Sequence, residues 1–197
     1  AFVRAWRTLG WTWLELDKTA AQRGWSSFGD AEVLELALVY QLMNATGVEL
    51  LGLVAWWGSI DTRLDRLLVD VPTLSLYDRL FLANDTVANL YVDNGGAFEL
   101  ANNPFALNAD RTELEVPTAP LLDHIAALQA AFGTDEEQVR DAMEDAGVTA
   151  DVMTLANLGA VYRRVSLAQG VGVTVDQLIS LRDLNAALPD PHVDPAT

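Results

Sequence analysis

Apolar residues in this chain recur mostly at helical spacing, and short polar phrases separate one apolar segment from the next. The phrase Gly-x-Thr-x-x-Glu/Gln falls between two such segments at Gly10-Trp11-Thr12-Trp13-Leu14-Glu15 and again at Gly172-Val173-Thr174-Val175-Asp176-Gln177. A tighter version is Gly133-Thr134-Asp135-Glu136-Glu137. Each phrase predicts a helix that stops at a glycine, which takes the left-handed cap without steric cost. A new helix then opens on a threonine whose hydroxyl caps a free backbone N–H, and the Glu or Gln three residues on closes a capping box. Trp11 with Leu16, and Val173 with Leu178, stand at the two positions of a hydrophobic staple. Thr46-Gly47-Val48-Glu49 is a degenerate copy. The expected fold is mainly α, an array of antiparallel helical hairpins with a loop-rich insertion.

Along the chain, Phe2 to Leu9 reads as a short apolar helix with no cap and no preceding partner. A helix of that length is marginal alone, so a longer parent chain is expected. Thr12 to Gln22 reads as a helix and Gly24 to Gly29 as a loop. Asp30 is the expected cap of the next helix, where Leu34, Leu38, Leu42 and Ala45 mark one stripe and Leu36, Tyr40 and Met43 another. Two stripes predict packing on two sides. Val48 to Trp57 is apolar almost all round and is expected to be the most buried helix, broken by Gly58 and Ser59. Ser75-Leu76-Tyr77-Asp78 opens a helix through Arg79-Leu80-Phe81-Leu82.

The stretch from Ala83 to Pro120 holds six asparagines, Gly95-Gly96 and three prolines. Such a length without strong periodicity is uncommon in a compact domain unless it is functional or inserted. Val87 to Val92 and Glu113 to Val116 read as short strands. Helices resume with the stripe Leu121, Leu122, Ile125, Leu128 and Phe132, then Asp135 to Ala146 ending at Gly147. A long helix is expected from Thr149 to Gln169, with Leu155, Leu158, Tyr162 and Val165 on one face, and a last one from Thr174 to Leu188. Pro189 and Pro191 then break the chain, and the tail is expected to be disordered. The organisation read from these signals is hairpins over residues 1–82, the insertion over 83–118, hairpins over 119–188 and the tail over 189–197.

Composition narrows the function. The chain has 197 residues, half of them hydrophobic, enough for a packed core. It has no cysteine, so disulfides and thiolate metal sites are excluded. The formal charge of −16 argues against nucleic acid and against anionic membrane surfaces as partners. Eleven arginines stand against one lysine, Lys18. A GC-rich coding genome or adaptation to high salt would each produce this bias. No signal-peptide pattern opens the chain, and the longest apolar run, Leu50 to Trp57, is too short to span a bilayer.

Candidate chemistry is sparse. His124 follows Asp123 in a predicted helix, and His192 lies in the tail. Helix neighbours do not face each other, and no nucleophile motif accompanies them, so His124 reads as a surface or capping histidine. Asp93-Asn94-Gly95-Gly96 opens like a calcium loop. Counted from Asp93, however, Gly95, Ala97 and Pro104 fall where oxygen ligands and the closing Glu belong, so the segment reads as a turn. Phe132-Gly133-Thr134-Asp135-Glu136-Glu137 looks superficially like the Gly-Thr-Asp-Glu loop of annexins. Annexins repeat that unit, whereas a single copy stands here and the capping box accounts for it. Trp11 with Trp13, and Trp56-Trp57, have the chemistry of sugar-stacking platforms, but at helical spacing they read as core. Among 28 acids some carboxylate pair is always at hand, so no pair is informative. No catalytic, cofactor-binding or metal-binding residue is assigned, no cofactor is implied, and the protein is not expected to be an enzyme.

Several phrases occur in a telling order. Leu9 to Asp17 reads Leu-Gly-Trp-Thr-x-x-Glu-Leu-Asp, and an all-apolar helix then leads to Trp57-Gly58-Ser59-Ile60-Asp61-Thr62. Next come Ser75-Leu76-Tyr77-Asp78-Arg79-Leu80-Phe81-Leu82, Phe105-Ala106-Leu107-Asn108, a Gly-Thr-x-x-Glu hairpin and Leu155-Ala156-Asn157-Leu158-x-x-Val161-Tyr162-Arg163. Over residues 1 to 188 this resembles the helical shell region of the A component of insecticidal toxin complexes, the Tc toxins. The resemblance implies a non-catalytic structural part of a very large toxin subunit. In that family an α-helical shell, in a homopentamer, surrounds a translocation channel that inserts into the host membrane and delivers a toxic enzyme. The implied partners are neighbouring domains of a larger parent chain, other copies in a homo-oligomer of the full-length protein, and a host-surface receptor. The implied localisation is secreted or extracellular, as part of a toxin complex. Nucleic acid is not implied, nor is direct membrane insertion by this segment, which lacks an apolar pore-forming hairpin. The alternative is a free-standing helical protein-interaction module using the insertion as its contact surface. An enzyme built on acidic residues is the third reading.

Overall fold

In the computed structural model, residues 7–64, 74–91, 103–115, 120–148 and 152–184 are described. Over these residues the protein is mainly helical, and its extended pairing is limited to the single bridges Leu107–Leu114 and Pro120–Val152. The helices are α1 (Trp13–Gln22), α2 (Asp30–Thr46), α3 (Leu50–Val54), α4 (Asp85–Asn89), α5 (Ile125–Phe132), α6 (Glu136–Ala146), α7 (Leu155–Val171) and α8 (Val175–Leu184). A π-helical turn covers Asp78–Leu82, and a 3-10 turn, Leu121–His124, leads into α5.

The glycine punctuation has a direct backbone counterpart. Gly10, Gly47, Gly133, Gly147 and Gly172 all have φ between 63° and 71° or, for Gly172, 75°, the left-handed region. At the first phrase the Thr12 hydroxyl accepts from Glu15 N–H at 3.1 Å, and the Glu15 carboxylate accepts from Thr12 N–H at 2.7 Å. The last phrase repeats this between Thr174 and Gln177 at 3.2 and 3.1 Å. The middle phrase differs from expectation. Asp135, not Thr134, caps α6 by accepting from Gln138 N–H at 2.9 Å. Thr134 N–H donates to Gln129 carbonyl, closing the end of α5, and its hydroxyl is buried without a partner.

Other boundaries also shift. Gly29 takes the cap position of α2, with Glu32 accepting from its N–H at 2.7 Å, and Asp30 is the first helical residue. α7 opens at Thr154, whose hydroxyl accepts from Asn157 N–H at 3.1 Å, rather than at Thr149. The segment expected as a strand from Val87 is instead α4, because Asn84 caps it through Thr86 and Val87 N–H. Near Glu113, Leu114 makes only its single bridge. The calcium-like phrase at 93–96, the strand ends Val92 and Val116, the start of the first helix, the end of the last and the tail with His192 lie outside the described residues.

Two apolar clusters form the core. The smaller one joins Trp11 and Leu16 to Leu36 and Val39 of α2, to Leu50, Leu53 and Val54 of α3, and to Trp56. The helix expected from Val48 to Trp57 is shorter: Glu49 takes the cap position and α3 is helical only over Leu50–Val54, with Ala55 to Trp57 as a turn, yet its apolar residues are nearly all buried. The larger cluster holds Tyr77, Phe81, Phe105, Leu121, Leu128, Phe132, Met143 and most of the apolar face of α7. α7 serves both, since Leu167 packs into the smaller cluster. Its Tyr162 approaches Gly52 of α3 so closely that a Cβ there would stand 2.7 Å from the phenol oxygen. Phe81 stacks on Phe105 with ring centroids 4.5 Å apart and meets Phe132 edge-on at 5.8 Å. α2 does not pack on two sides. Leu36 and Val39 are buried, while Leu34 and Leu38 face out.

Candidate functional site

The phrases Ile60-Asp61-Thr62 and Ser75-Leu76-Tyr77-Asp78 are distant in sequence from Lys18 and from Arg111, yet all four meet in one polar junction. It begins on α1, where Lys18 is 1 % exposed. Its ammonium bonds the Asp61 carboxylate and donates to Arg63 carbonyl at 3.0 Å. Asp61 is also buried. Its other oxygen accepts from Arg63 N–H at 3.4 Å, and the Arg63 guanidinium reaches Asp61 at 3.6 Å and the exposed Asp17 at 3.5 Å.

The second half lies one residue on. Tyr77 N–H donates to Asp61 carbonyl at 3.0 Å. Thr62 hydroxyl donates to Arg111 carbonyl at 2.7 Å, and Arg111 Nε donates back to Thr62 carbonyl at 2.6 Å. Arg111 Nη2 then meets Asp78 Oδ1 at 2.7 Å. The other Asp78 oxygen accepts from Ser75 N–H at 3.1 Å and from Ser75 hydroxyl at 2.5 Å, while Ser75 Oγ accepts from Asp78 N–H at 3.1 Å. This is a capping box with aspartate as the returning acid. Arg111 holds φ at 57°, a left-handed conformation that costs a non-glycine residue energy. The reciprocal bonds to Thr62 and Asp78 hold it there. Tyr77 hydroxyl donates to Phe105 carbonyl at 2.8 Å, and burial pushes its phenol far above the usual range, so it remains a donor.

Chemically this junction is closed. Each charged group in it faces an opposite charge, and its central residues are out of contact with bulk water. What it can do is fix the α1 corner, the 59–64 segment, the start of the π turn and the 103–115 loop in one arrangement.

The residues singled out by sequence are placed as follows. Asp123 is not the partner of His124. Instead His124 Nδ1 bonds Tyr91 hydroxyl at 2.8 Å, and its ring meets Phe105 edge-on at 5.8 Å. His124 is half-buried rather than superficial, and its Nε2 is buried without a partner. Burial lowers its pKa, opposed by the nearby Asp123 charge. Burial also pushes the Tyr91 phenol up to about 12. Trp11 and Trp56 are core residues, and Trp56 Nε1 donates to Ser166 hydroxyl at 2.7 Å. Trp57 lies 5.3 Å from the Arg23 guanidinium, a cation–π contact rather than an open platform. Among the described residues no group of three or more His, Cys, Asp or Glu is arranged to hold a metal ion.

A cleft of about 360 Å³ opens between the Thr46–Val48 turn, Leu80, Phe132 and the Tyr162, Ser166 and Gln169 edge of α7. Its hydroxyl and amide groups are largely occupied: Thr46 donates to Leu42 carbonyl, Ser166 accepts from Trp56, and the Gln169 amide donates to Phe132 carbonyl. Sequence reasoning missed Lys18 and Arg111 as structural residues. The available signal for Lys18 was a lone lysine on a mid-helix position of a chain that otherwise uses arginine. Arg111 carries no such signal. In comparisons with known proteins, no family model, curated protein or solved structure matches this chain.

Proposed function

We propose that this chain is a non-catalytic structural segment of a Tc-toxin-like A subunit, contributing to the helical shell of a secreted toxin-translocation assembly. The observation that carries the reading is the closed junction. Three of the phrases that bear the resemblance touch it: Tyr77 N–H bonds Asp61 carbonyl and Tyr77 hydroxyl bonds Phe105 carbonyl, while the Asp61 and Asp78 carboxylates are held by Lys18 and Arg111. Such an arrangement supports a role in holding segments in place. On this reading the partners are neighbouring domains of a larger parent chain, other copies in the full-length homo-oligomer and a host-surface receptor. A free-standing helical interaction module is the second reading, favoured by the exposed apolar residues of α2.

The parent gene separates the two. A reading frame continuing far beyond both ends, with a pore-forming apolar hairpin elsewhere, is the expected result. A frame encoding little more than this segment would overturn the shell reading in favour of the module. The purified segment is also expected to leave dye-loaded liposomes intact at neutral and acidic pH. Among the described residues no helix is long and apolar enough to cross a membrane. Efficient dye release by the segment alone would sink the proposal of a supporting role.

A further inference from the structure

Lys18 carries the only side-chain amine in the 197 residues, and no cysteine accompanies it. That amine is sealed in the fold. The ammonium bonds the buried Asp61 carboxylate and donates to Arg63 carbonyl at 3.0 Å. The segment that holds it is itself fastened along its length. Ser59 carbonyl accepts from Gln22 Nε2 at 2.9 Å, and Ile60 is buried in the larger apolar cluster. Asp61 carbonyl accepts from Tyr77 N–H, and Thr62 exchanges two bonds with Arg111. Freeing the amine therefore means drawing Ile60 out of the core and breaking the junction. That is an opening of sub-global or global size, not a side-chain fluctuation.

We propose that Lys18 is a fold-gated acylation site. It is closed to activated acyl groups in the native protein and open in the unfolded chain, and once acylated it hinders return to the native junction. The reaction is acyl transfer from an acyl thioester or activated ester. The amine, having released one ammonium proton to solvent, attacks the acyl carbonyl carbon. A C–N amide bond forms and the C–S or C–O bond breaks. The leaving thiolate or alkoxide takes the electron pair and the second amine proton. The product side chain is neutral, because acylation removes the lysine charge. Asp61 would then return to a buried position without its counter-charge, the costly way to break a buried ion pair. The same contacts that stabilise the fold thus make the modification a mark of chains that have unfolded.

N-hydroxysuccinimidyl acetate is the probe, read by mass spectrometry of the Thr8 to Arg23 peptide that an arginine-specific protease releases. The Arg140→Lys variant supplies an exposed reference amine in the same chain, since Arg140 is half-exposed on α6 beside Glu136. Relative to position 140, Lys18 should react at least ~1,000-fold more slowly in the native protein than in urea, the lower end of folding equilibrium constants. Weaker protection would reveal a local opening and overturn the gate. The second half is tested on chains modified in urea and then diluted to refold. Acetylation leaves the side chain neutral, whereas methyl acetimidate adds a group of the same shape that keeps the positive charge. The acetylated chain should regain a lower urea midpoint than the amidinated chain, or fail to refold where the amidinated chain succeeds. Equal behaviour of the two would assign any loss to bulk and overturn the charge-based hindrance.

Discussion

Lys18 and Asp61 show how much a single residue can be asked to hold. Both are almost fully buried, and an ion taken from water is tolerated only while its opposite charge and hydrogen bonds remain. Lys18→Met should therefore cost about 3–5 kcal/mol, because it leaves the Asp61 carboxylate buried with less compensation. Replacing both, as Lys18→Met/Asp61→Leu, should recover most of that loss, since a well-packed apolar pair is often as stable as a buried ion pair. Urea midpoints of the three proteins measure it, and a double variant no more stable than Lys18→Met would overturn the expected recovery. Residue-level legibility was good where a phrase left room for both helix ends. In Gly172-Val173-Thr174, Val173 N–H bonds the Ala168 carbonyl and closes the old helix, which frees Thr174 to cap the new one. In Gly133-Thr134 no spacer exists. Thr134 itself must close α5, so its N–H is spent and a capping box on it is impossible, and Asp135 takes the role. The rule that would have placed the cap is visible in sequence once the spacer is counted.

At the scale of elements, the joint between the 3-10 turn, α4 and the 103–115 loop centres on His124. Its ring lies against Phe105 and Tyr91, with Tyr91 hydroxyl on Nδ1 and no partner on Nε2. Burial lowers its pKa and the Asp123 charge only partly opposes this, so the unfolded chain binds a proton that the folded protein resists. The contribution to stability is complete above the unfolded value, about 6.5, and falls away as pH drops through it towards the lower folded value. Urea midpoints from pH 7.5 to pH 5 should decline in the wild-type protein, and His124→Gln should flatten that decline. An identical slope in the variant would place the titrating group elsewhere. Legibility at this scale followed local chemistry unevenly. The apolar run of α3 was readable as a buried helix because no packing partner was needed to interpret it. The second stripe on α2 was not, because periodicity reports what a helix can bury and not what lies beside it. Val87 pointed to a strand by its neighbours' propensities, but the Asn84 cap decided for a helical turn.

On the scale of the whole molecule, the mainly helical fold was legible from punctuation and stripe alone. The role of the stretch after residue 83 was not. Its described part contributes Val87 of α4 and the loop residues Phe105 and Leu114 to the larger apolar cluster, so the stretch is part of the core. Asparagine-rich composition hides this, because the contributing side chains are single and widely spaced. Charge is the other whole-molecule property. On α6 and the start of α8, burial raises the pKa of Asp141, and Asp176, Glu137, Glu144 and Asp135 raise it further. A carboxylate whose folded pKa is raised is destabilising while ionised, and that cost is relieved as pH falls through the folded value. At neutral pH the relief must come from screening. With a net charge of −16, melting temperature should rise between low salt and about 0.5 M sodium chloride, where the Debye length has fallen well below 10 Å. Potassium chloride should act equally, because screening depends on ionic strength and not on the cation. Asp141→Asn should melt higher than wild type in low salt and gain less from added salt. A flat salt response would reject bulk repulsion. Stabilisation by calcium alone would do the same, and would turn attention to the Asp93-Asn94-Gly95-Gly96 phrase as a metal-binding loop.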